Sequence, residues 1–201
     1  MSSEQPDIRR LVFTYRSYTP LPFLLVMVWF AQPTVASMIS GFLLVAGGEA
    51  IRFWGVSIAG SETRTTGRVG GTYLITNGPF AYVRNPLYVG NMLMYAGVGV
   101  MSMALFPWLL LVATVWFYVQ YSLIVTQEEE YLAAQFGKAY EDYEGAVGRF
   151  FPRFRRYVSV HPPSKLVSAR EGLASERRTL QAIVLVTLLV VAKYVYLQWQ
   201  V

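Results

Sequence analysis

Residues 73–90 read YLITNGPFAYVRNPLYVG, and they separate two strongly apolar regions of a 201-residue chain. The dipeptide Asn85-Pro86 is typical of a break in regular structure, and Pro86 is suited to the first position of a new helix. Arg84 is the last charged residue before a long apolar run. We therefore expect Arg84 at a membrane–water boundary, either as an anchor among interfacial tyrosines or in a pocket for an anionic or zwitterionic group.

The apolar run that follows is too long for one helix. None of the 43 positions in residues 85–127 is charged, whereas about 20 residues are enough for a helix to cross the hydrocarbon core of a bilayer. The run therefore predicts a hairpin of two membrane-spanning helices, residues 87–103 and 108–126, with its turn at residues 106–107.

Both ends of such a hairpin lie on the same side. The sequence therefore predicts that Arg84 and Asn85, at its start, lie near Glu128, Glu129 and Glu130, at its end. A cation beside carboxylates and tyrosines suits a ligand that carries both charges and an aromatic ring. The alternative is that the acidic run is a solvated helix start, because carboxylates favour the N-terminal end of a helix dipole.

The composition supports a membrane protein. Apolar residues make up 54% of the chain and charged residues 14%. Further apolar segments at residues 18–31, 35–59 and 180–199 bring the number of predicted spans to five. We predict an all-α fold of about five transmembrane helices with a cytoplasmic interfacial helix. The interfacial helix is indicated by an apolar stripe at spacings of four and three: Leu132, Phe136, Tyr140, Tyr143 and Val147.

We predict a single membrane domain. It consists of an arm and first span (residues 1–40), a core (41–156), a cytoplasmic linker (157–178) and a C-terminal span (179–201).

The distribution of basic residues predicts the orientation of this domain. With five spans, 15 of the 17 Lys and Arg residues fall on one side of the membrane. The positive-inside rule then assigns the N-terminus and the mouth of the site around Arg84 to the cytoplasm, and the C-terminus to the opposite side.

The composition also excludes several kinds of site. The chain has no Cys, which excludes a thiolate nucleophile, a disulfide and a Cys-ligated metal. Its single His161 lies in a His-Pro-Pro loop pattern, so a His-rich metal site is excluded and no metal is predicted. The basic and aromatic residues 149–156 indicate anionic lipid headgroups rather than nucleic acid, because so much of the chain spans a membrane.

Two charged residues lie inside the second predicted span. Glu49 and Arg52 are three positions apart, so they share one helix face and can pair. Charges at that depth are costly and usually face the interior of a helical bundle. A structural ion pair and a role in lining a pocket are both open.

The motifs of the chain resemble those of a known family. Residues 73–80 and 84–90 are similar to the "Gly-x-Tyr … Arg-His-Pro-x-Tyr-x-Gly" block of the isoprenylcysteine carboxyl methyltransferases and related phospholipid methyltransferases. Residues 128–143 and 151–152 are similar to the second block of that family, "Glu-Glu-x-x-Leu … Phe-Gly-x-x-Tyr-x-x-Tyr … Pro". Residues 48–54 also resemble the helix before the first block.

The resemblance implies S-adenosylmethionine as the cofactor. Arg84 and Asn85 would contact its methionyl end, and Glu128 and Glu129 its ribose or amino groups. Gly97 and Gly99 either let helices approach closely or make room for the cofactor. The cofactor-binding residues expected from the resemblance are Tyr73, Arg84, Asn85, Tyr88, Gly90, Gly97, Gly99, Glu128 and Glu129.

The implied chemistry is methyl transfer to a lipid-like or prenylated acceptor in the membrane. Arg84 or Arg52 could orient a carboxylate acceptor, and Glu49 or Glu129 could take the proton from an amine acceptor. The chain carries Asn85 where the prenylcysteine enzymes carry His, so a His that titrates at this position is not implied. The sequence leaves open whether the protein forms a homodimer through its last span.

Two other functions are kept as alternatives. One is an integral-membrane reductase that uses NADPH, because sterol reductases resemble this family in their membrane core. The other is a scaffold without catalytic activity. Binding of S-adenosylhomocysteine rather than NADPH would separate a methyltransferase from a reductase.

Overall fold

The computed structural model describes residues 8–60, 73–159 and 168–200. The predicted loop around His161 lies outside the described residues. In the described part the chain forms seven α-helices and one short 3-10 helix, and its β-structure there is a single isolated bridge. The α-helices are α1 (Ile8–Tyr15), α2 (Pro20–Trp29), α3 (Val35–Ala59), α4 (Pro86–Ser102), α5 (Trp108–Phe136), α6 (Lys138–Ala146) and α7 (Ala169–Trp199).

The chain is an all-α membrane protein, as its composition predicts. Among the described residues, three helices are long and apolar enough to cross a membrane: α3, α5 and the Gly172–Trp199 part of α7. The other two predicted spans correspond to α2, with 10 residues, and α4, with 17. Five spans therefore stay a prediction.

The predicted hairpin is present as α4 and α5. The turn between them spans residues 103–107, with positive φ angles at Met103 and Leu105. However, α5 does not end near residue 126 but continues to Phe136. Glu128 and Glu129 therefore lie within the last turns of a long helix, and the alternative that they begin a new helix is wrong.

The chain divides into two compact units, and the first contains residues 1–45, 95–127 and 183–201. Its aromatic side chains pack together, with Phe117 in contact with Phe23 at 5.3 Å and with Tyr95 at 4.2 Å between ring centroids. The backbones of α3 and α4 also approach closely in this unit. A Cβ on Gly97 would come within 2.7 Å of the Gly41 carbonyl oxygen.

The second unit contains residues 46–94 and 128–182. Part of its core is a cluster of the buried side chains Tyr140, Tyr143 and Val147. This cluster confirms that the predicted apolar stripe is buried, but the prediction of one helix for the whole stripe is wrong. The chain turns at Gly137 with a φ of +50°, so the first part of the stripe lies on α5 and the second on and just after α6. The partly buried apolar residues around the cluster are Leu74, Leu132, Ala133, Phe136, Ala146 and Tyr157.

Backbone hydrogen bonds connect two distant segments of the second unit. Residues 147–157, which we call the strap, run beside residues 81–84 just before α4. The strap accepts a hydrogen bond of 2.9 Å from Arg84 N–H at Gly148. It also donates from Arg153 to Tyr82 and from Tyr157 to Ala81, at 2.8 and 3.0 Å. The strap thereby fixes the backbone that carries Arg84.

The last helix begins earlier than its apolar run indicates. We expect a linker up to residue 178, but α7 starts at Ala169. Its first turns pack against α3: the Ser168 N–H donates to the Ser57 carbonyl at 3.0 Å, and Gly172 lies so close to Ser57 that a Cβ has no room. Hydropathy marks only the apolar part of this helix, because its first turns are polar.

Candidate functional site

Arg84 lies at the centre of the first of two polar clusters in the second unit. Its Nε donates to Glu129 at 2.9 Å and its Nη2 to Glu144 at 3.1 Å. Its Nη1 donates to the backbone carbonyls of Glu144 and Val147, at 2.9 and 2.8 Å. Four of the five N–H groups of a guanidinium thus have partners here. We call Arg84, Asn85, Glu129, Glu144 and Arg149 the Arg84 cluster.

Glu129 is the buried carboxylate of this cluster. One oxygen accepts from Arg84 and, at 3.2 Å, from the Asn85 side chain, and the other pairs with Arg149 at 2.5 Å. Asn85 also donates to the Arg149 carbonyl at 3.2 Å. The prediction that the two ends of the hairpin meet is therefore confirmed by direct contacts of Arg84 and Asn85 with Glu129.

Tyr88 and Glu128 form a second contact between the hairpin ends. The Tyr88 hydroxyl donates to a Glu128 carboxylate oxygen at 2.7 Å. Both residues are half-buried, whereas Glu130 and Tyr73 are exposed. The residues expected around a cofactor thus form two groups of direct contacts, Arg84 and Asn85 with Glu129, and Tyr88 with Glu128.

Charge and burial change the acid–base properties near Arg84. Burial opposes the charge on Arg84, but the hydrogen bond and the charge of Glu129 outweigh burial, and the pKa of Arg84 is raised. Burial raises the pKa of Tyr143 and of Tyr140 above the usual tyrosine range. Tyr143 therefore stays neutral, and its hydroxyl donates to the Phe80 carbonyl at 2.7 Å.

The second cluster is centred on Arg52. Its Nη2 lies 2.8 Å from both carboxylate oxygens of Glu176 on α7, and its Nη1 donates to the Asn91 side chain at 2.7 Å. The expected partner, Glu49, is 3.9 Å from Nε. The ion pair predicted between Glu49 and Arg52 is therefore present but long, and Glu176 is the closer partner. We call Glu49, Arg52, Asn91 and Glu176 the Arg52 cluster.

Glu49 differs from Glu129, whose Oε2 also has no hydrogen-bond partner among the described residues but forms an ion pair with Arg149 at 2.5 Å. Both oxygens of Glu49 are buried and have no hydrogen-bond partner within residues 8–60, 73–159 and 168–200, and the same holds for Arg52 Nε. Buried polar groups in native proteins nearly always have a partner, and each exception calls for an explanation. The Arg52 cluster therefore contains acceptor atoms and a donor atom whose hydrogen-bonding capacity is not used by the described residues.

The glycines expected around the cofactor lie at close contacts between helices. A Cβ on Gly90 would be 2.6 Å from the Gly48 carbonyl and 2.5 Å from Arg52 Cγ. Gly97 has the comparable contact with Gly41, and Gly99 faces the Leu110 side chain at 2.8 Å. For Gly97, the backbone contact favours the first of the two alternatives given above for Gly97 and Gly99, the close approach of helices.

Four residues of the two clusters are not predicted from the sequence: Asn91, Glu144, Arg149 and Glu176. The sequence predicts Arg149 in a lipid-facing segment, and only its position shortly after the acidic residues of α6 indicates a carboxylate partner. Glu176 lies in a polar stretch that gives no signal of burial, although its exposed fraction is only 1%. In the described part of the chain, no three Asp, Glu or His side chains form a group that could hold a metal ion.

Comparison with known proteins gives one family and two relatives. The sequence profile of the phospholipid methyltransferases matches residues 36–139. The cobalt-zinc-cadmium resistance protein CzcN of Cupriavidus metallidurans is 33% identical over 84 residues, which are 42% of this chain and 38% of CzcN. The nickel-cobalt-cadmium resistance protein NccN of Alcaligenes xylosoxydans is 31% identical over 88 residues, 44% of this chain and 40% of NccN. The chain thus matches about two fifths of each relative.

Proposed function

The chain belongs to the phospholipid methyltransferase family, and we propose on this basis that it transfers a methyl group from S-adenosylmethionine to a lipid-like acceptor in the membrane. The observation that carries the proposal is the Arg84 cluster. In this cluster Arg84 and Asn85 of the first motif block contact Glu129 of the second, which lies 45 and 44 residues further along the sequence. The family match covers both blocks up to residue 139.

The residues present fit the polar part of this cofactor. Its methionyl end is a zwitterion, which needs a cation and a carboxylate close together. Arg84 has one N–H group beyond its four described contacts, and Arg149 is 38% exposed at its side chain. Glu128, half-buried beside Tyr88, supplies a carboxylate. We propose that Arg84, Asn85, Tyr88, Glu128 and Glu129 surround the cofactor.

Bound S-adenosylmethionine supplies a methyl group that its positively charged sulfur already activates. The protein then has to align the acceptor, exclude water and manage a proton. For the proton, Glu49 is better suited than Glu129, because both oxygens of Glu129 are engaged by Arg84, Asn85 and Arg149. We propose Glu49 as the base for an amine acceptor.

A carboxylate acceptor is the second candidate. The observation that favours it is the buried Nε of Arg52, which has no hydrogen-bond partner among the described residues. In that case Arg52 would orient the acceptor, and Glu49 would repel it unless protonated. Substitution of Glu49 therefore separates the two acceptors, because its loss stops transfer to an amine but favours transfer to a carboxylate.

The proposed location follows from the basic residues. The N-terminus and the Arg84 cluster would face the cytoplasm, where S-adenosylmethionine is available, and the C-terminus would lie on the opposite side. The acceptor would reach the site from the membrane.

The test is calorimetric titration of the detergent-purified protein with S-adenosylhomocysteine and, separately, with NADPH. We expect binding of S-adenosylhomocysteine that is lost in Arg84→Ala and Glu128→Ala. The control Arg156→Ala removes an exposed arginine of the strap and should leave binding unchanged.

Binding of NADPH alone would favour the reductase. If the folded wild-type protein bound neither compound, the methyltransferase proposal would be overturned in favour of a scaffold.

A further inference from the structure

Ser168, just before α7, and the first turns of α7 pack along α3 through residues spaced by four. Ser168 and Gly172 contact Ser57, and Glu176 bonds Arg52. Residue numbers rise along α7 while they fall along α3, so the two helices run antiparallel at this contact. Gly172 allows the approach because a side chain there would overlap Ser57. Glu176 lies outside the part of the chain that the family profile matches, which ends at residue 139. The contact places it beside Arg52, which lies within that part.

Glu176 holds one side of the Arg52 guanidinium. Both of its oxygens lie 2.8 Å from Nη2, and Asn91 accepts from Nη1. These contacts fix the plane of the guanidinium, since its nitrogens are rigidly connected. The remaining nitrogen, Nε, is thereby turned toward Glu49 and lies 3.9 Å from its carboxylate.

The need to neutralise the charge of Arg52 does not by itself explain why Glu176 is buried beside it. Glu49 already supplies one carboxylate on the same face of α3, so the cluster contains two carboxylates and one guanidinium. A free guanidinium next to Glu49 would form a short, direct ion pair with it. The structure instead has the short contact with Glu176 and leaves both Glu49 oxygens without a hydrogen-bond partner in the described part of the chain.

We propose that Glu176 is a positioning residue of the acceptor site. It holds Arg52 away from Glu49, so that the Glu49 carboxylate and the Arg52 Nε stay available to the polar group of the acceptor. The last helix therefore completes a site whose other residues lie in the matched family region. The role of this site in binding an acceptor rests on the proposed function. The arrangement of Glu49, Arg52 and Glu176 can be tested without that function.

The test uses the full-length protein in detergent and the apolar reagent dicyclohexylcarbodiimide. This reagent adds to a protonated carboxyl group in an apolar environment, whose proton passes to a reagent nitrogen, and mass spectrometry then locates the stable adduct. We expect labelling of Glu49 in the wild type. In Glu176→Gln, Arg52 is released and pairs with Glu49, so the labelling should fall severalfold.

Three further variants make this test specific. In the double variant Arg52→Gln/Glu176→Gln no cation remains to protect Glu49, so its labelling should return. In Glu176→Asp the charge is kept but its oxygens are withdrawn, and an intermediate level is expected. Glu141→Gln makes the same chemical change on an exposed residue of α6 and should have no effect. Unchanged labelling in a folded Glu176→Gln protein would overturn the proposal.

A kinetic measurement connects the arrangement to the reaction. Transfer of radiolabelled methyl from S-adenosylmethionine to vesicles of phosphatidylethanolamine and phosphatidylglycerol is compared in wild type and Glu176→Gln. We expect kcat/KM for the lipid to fall by up to about 100-fold, as for a displaced catalytic group, with unchanged affinity for S-adenosylhomocysteine.

The two kinds of failure are distinguishable. If the wild type neither binds S-adenosylhomocysteine nor methylates the vesicles, the proposed function fails, and the labelling of Glu49 still decides whether Glu176 positions Arg52.

Discussion

The Arg84 cluster and the Arg52 cluster each place a guanidinium between two glutamates, but they satisfy their polar atoms to different degrees. In the Arg84 cluster, Arg84 has four contacts and both oxygens of Glu129 have partners. In the Arg52 cluster, Glu176 is fully engaged while both oxygens of Glu49 have no hydrogen-bond partner among the described residues. Both clusters join distant chain segments, but only the Arg52 cluster contains a carboxylate, that of Glu49, with no hydrogen bond to either oxygen among the described residues.

This difference teaches which charges belong to the architecture and which to the chemistry. A buried charge with partners on every side is destabilising to remove, because its partners lose their compensation. A buried charge without a hydrogen bond costs stability, and a ligand that bonds to it would explain that cost. The following predictions test this distinction.

The largest effect is expected for Arg84→Ala. The substitution leaves Glu129 buried and takes away two carbonyl contacts at the end of α6, so unfolding should become easier by roughly 3 kcal/mol, the low end for a broken buried pair. Arg149 still faces Glu129 and limits the loss. Thermal unfolding in detergent measures the change, with Arg156→Ala as control. An unchanged melting temperature would show that the Arg84 cluster does not hold the fold.

In contrast to Arg84→Ala, Glu49→Gln should affect activity and not stability. Its stability should be unchanged or higher, because the substitution removes a buried charge whose oxygens have no described hydrogen-bond partner. Methyl transfer to an amine lipid should fall by about 100-fold or more, the usual contribution of a general base. Initial rates and melting curves of the same preparation measure both effects. A clear loss of stability with full activity would reverse the roles assigned to the two clusters.

Gly48→Ala tests the backbone that supports the Arg52 cluster. The new Cβ would meet the Gly90 carbonyl at 2.6 Å, so we expect a loss of about 1–3 kcal/mol from overpacking. The adjacent Gly47 has no heavy atom within 4 Å of such a Cβ, and Gly47→Ala should stabilise the helix by up to about 1 kcal/mol. Melting temperatures that shift equally in both variants would contradict this contact.

Tyr143→Phe should give the smallest effect. It removes the hydrogen bond to the Phe80 carbonyl, at a cost of about 1 kcal/mol. Tyr73→Phe, on an exposed side chain, is the control and should be silent.

The pH dependence of stability gives a second test of Tyr143. Burial raises the pKa of Tyr143 in the folded protein, so the unfolded chain ionises first, and stability falls as the pH rises above about 10. In Tyr143→Phe this alkaline loss should be smaller. Chemical denaturation at pH 8 and at higher pH measures the difference, and equal slopes in the two proteins would show that Tyr143 does not contribute.

The sequence predicts the parts of the fold that depend on polarity. A charge-free run twice as long as one span predicts the α4–α5 hairpin, and the hairpin predicts that Arg84 and Glu129 meet. The spacing of Tyr140, Tyr143 and Val147 predicts the apolar cluster of the second unit. These inferences succeed because each depends only on which residues avoid water.

The contacts of the strap and of α7 do not follow from polarity. The strap is held by backbone groups at Gly148, Arg153 and Tyr157, and backbone hydrogen bonds are available to almost any side chain. Glu176 is charged and lies in a polar stretch, so its burial depends on where α7 packs. Only the structure shows that the space beside Ser57 fits Gly172.

The glycine contact between α3 and α4 also limits how a lipid can move. At Gly48 and Gly90 the two backbones are too close for even a methyl group to fit between them, one residue away from Glu49 and from Asn91. An acyl chain therefore cannot slide through this seam to reach the Arg52 cluster. On the proposed function, the tail of the acceptor would stay in the bilayer, and its headgroup would reach Glu49 by a route other than this contact.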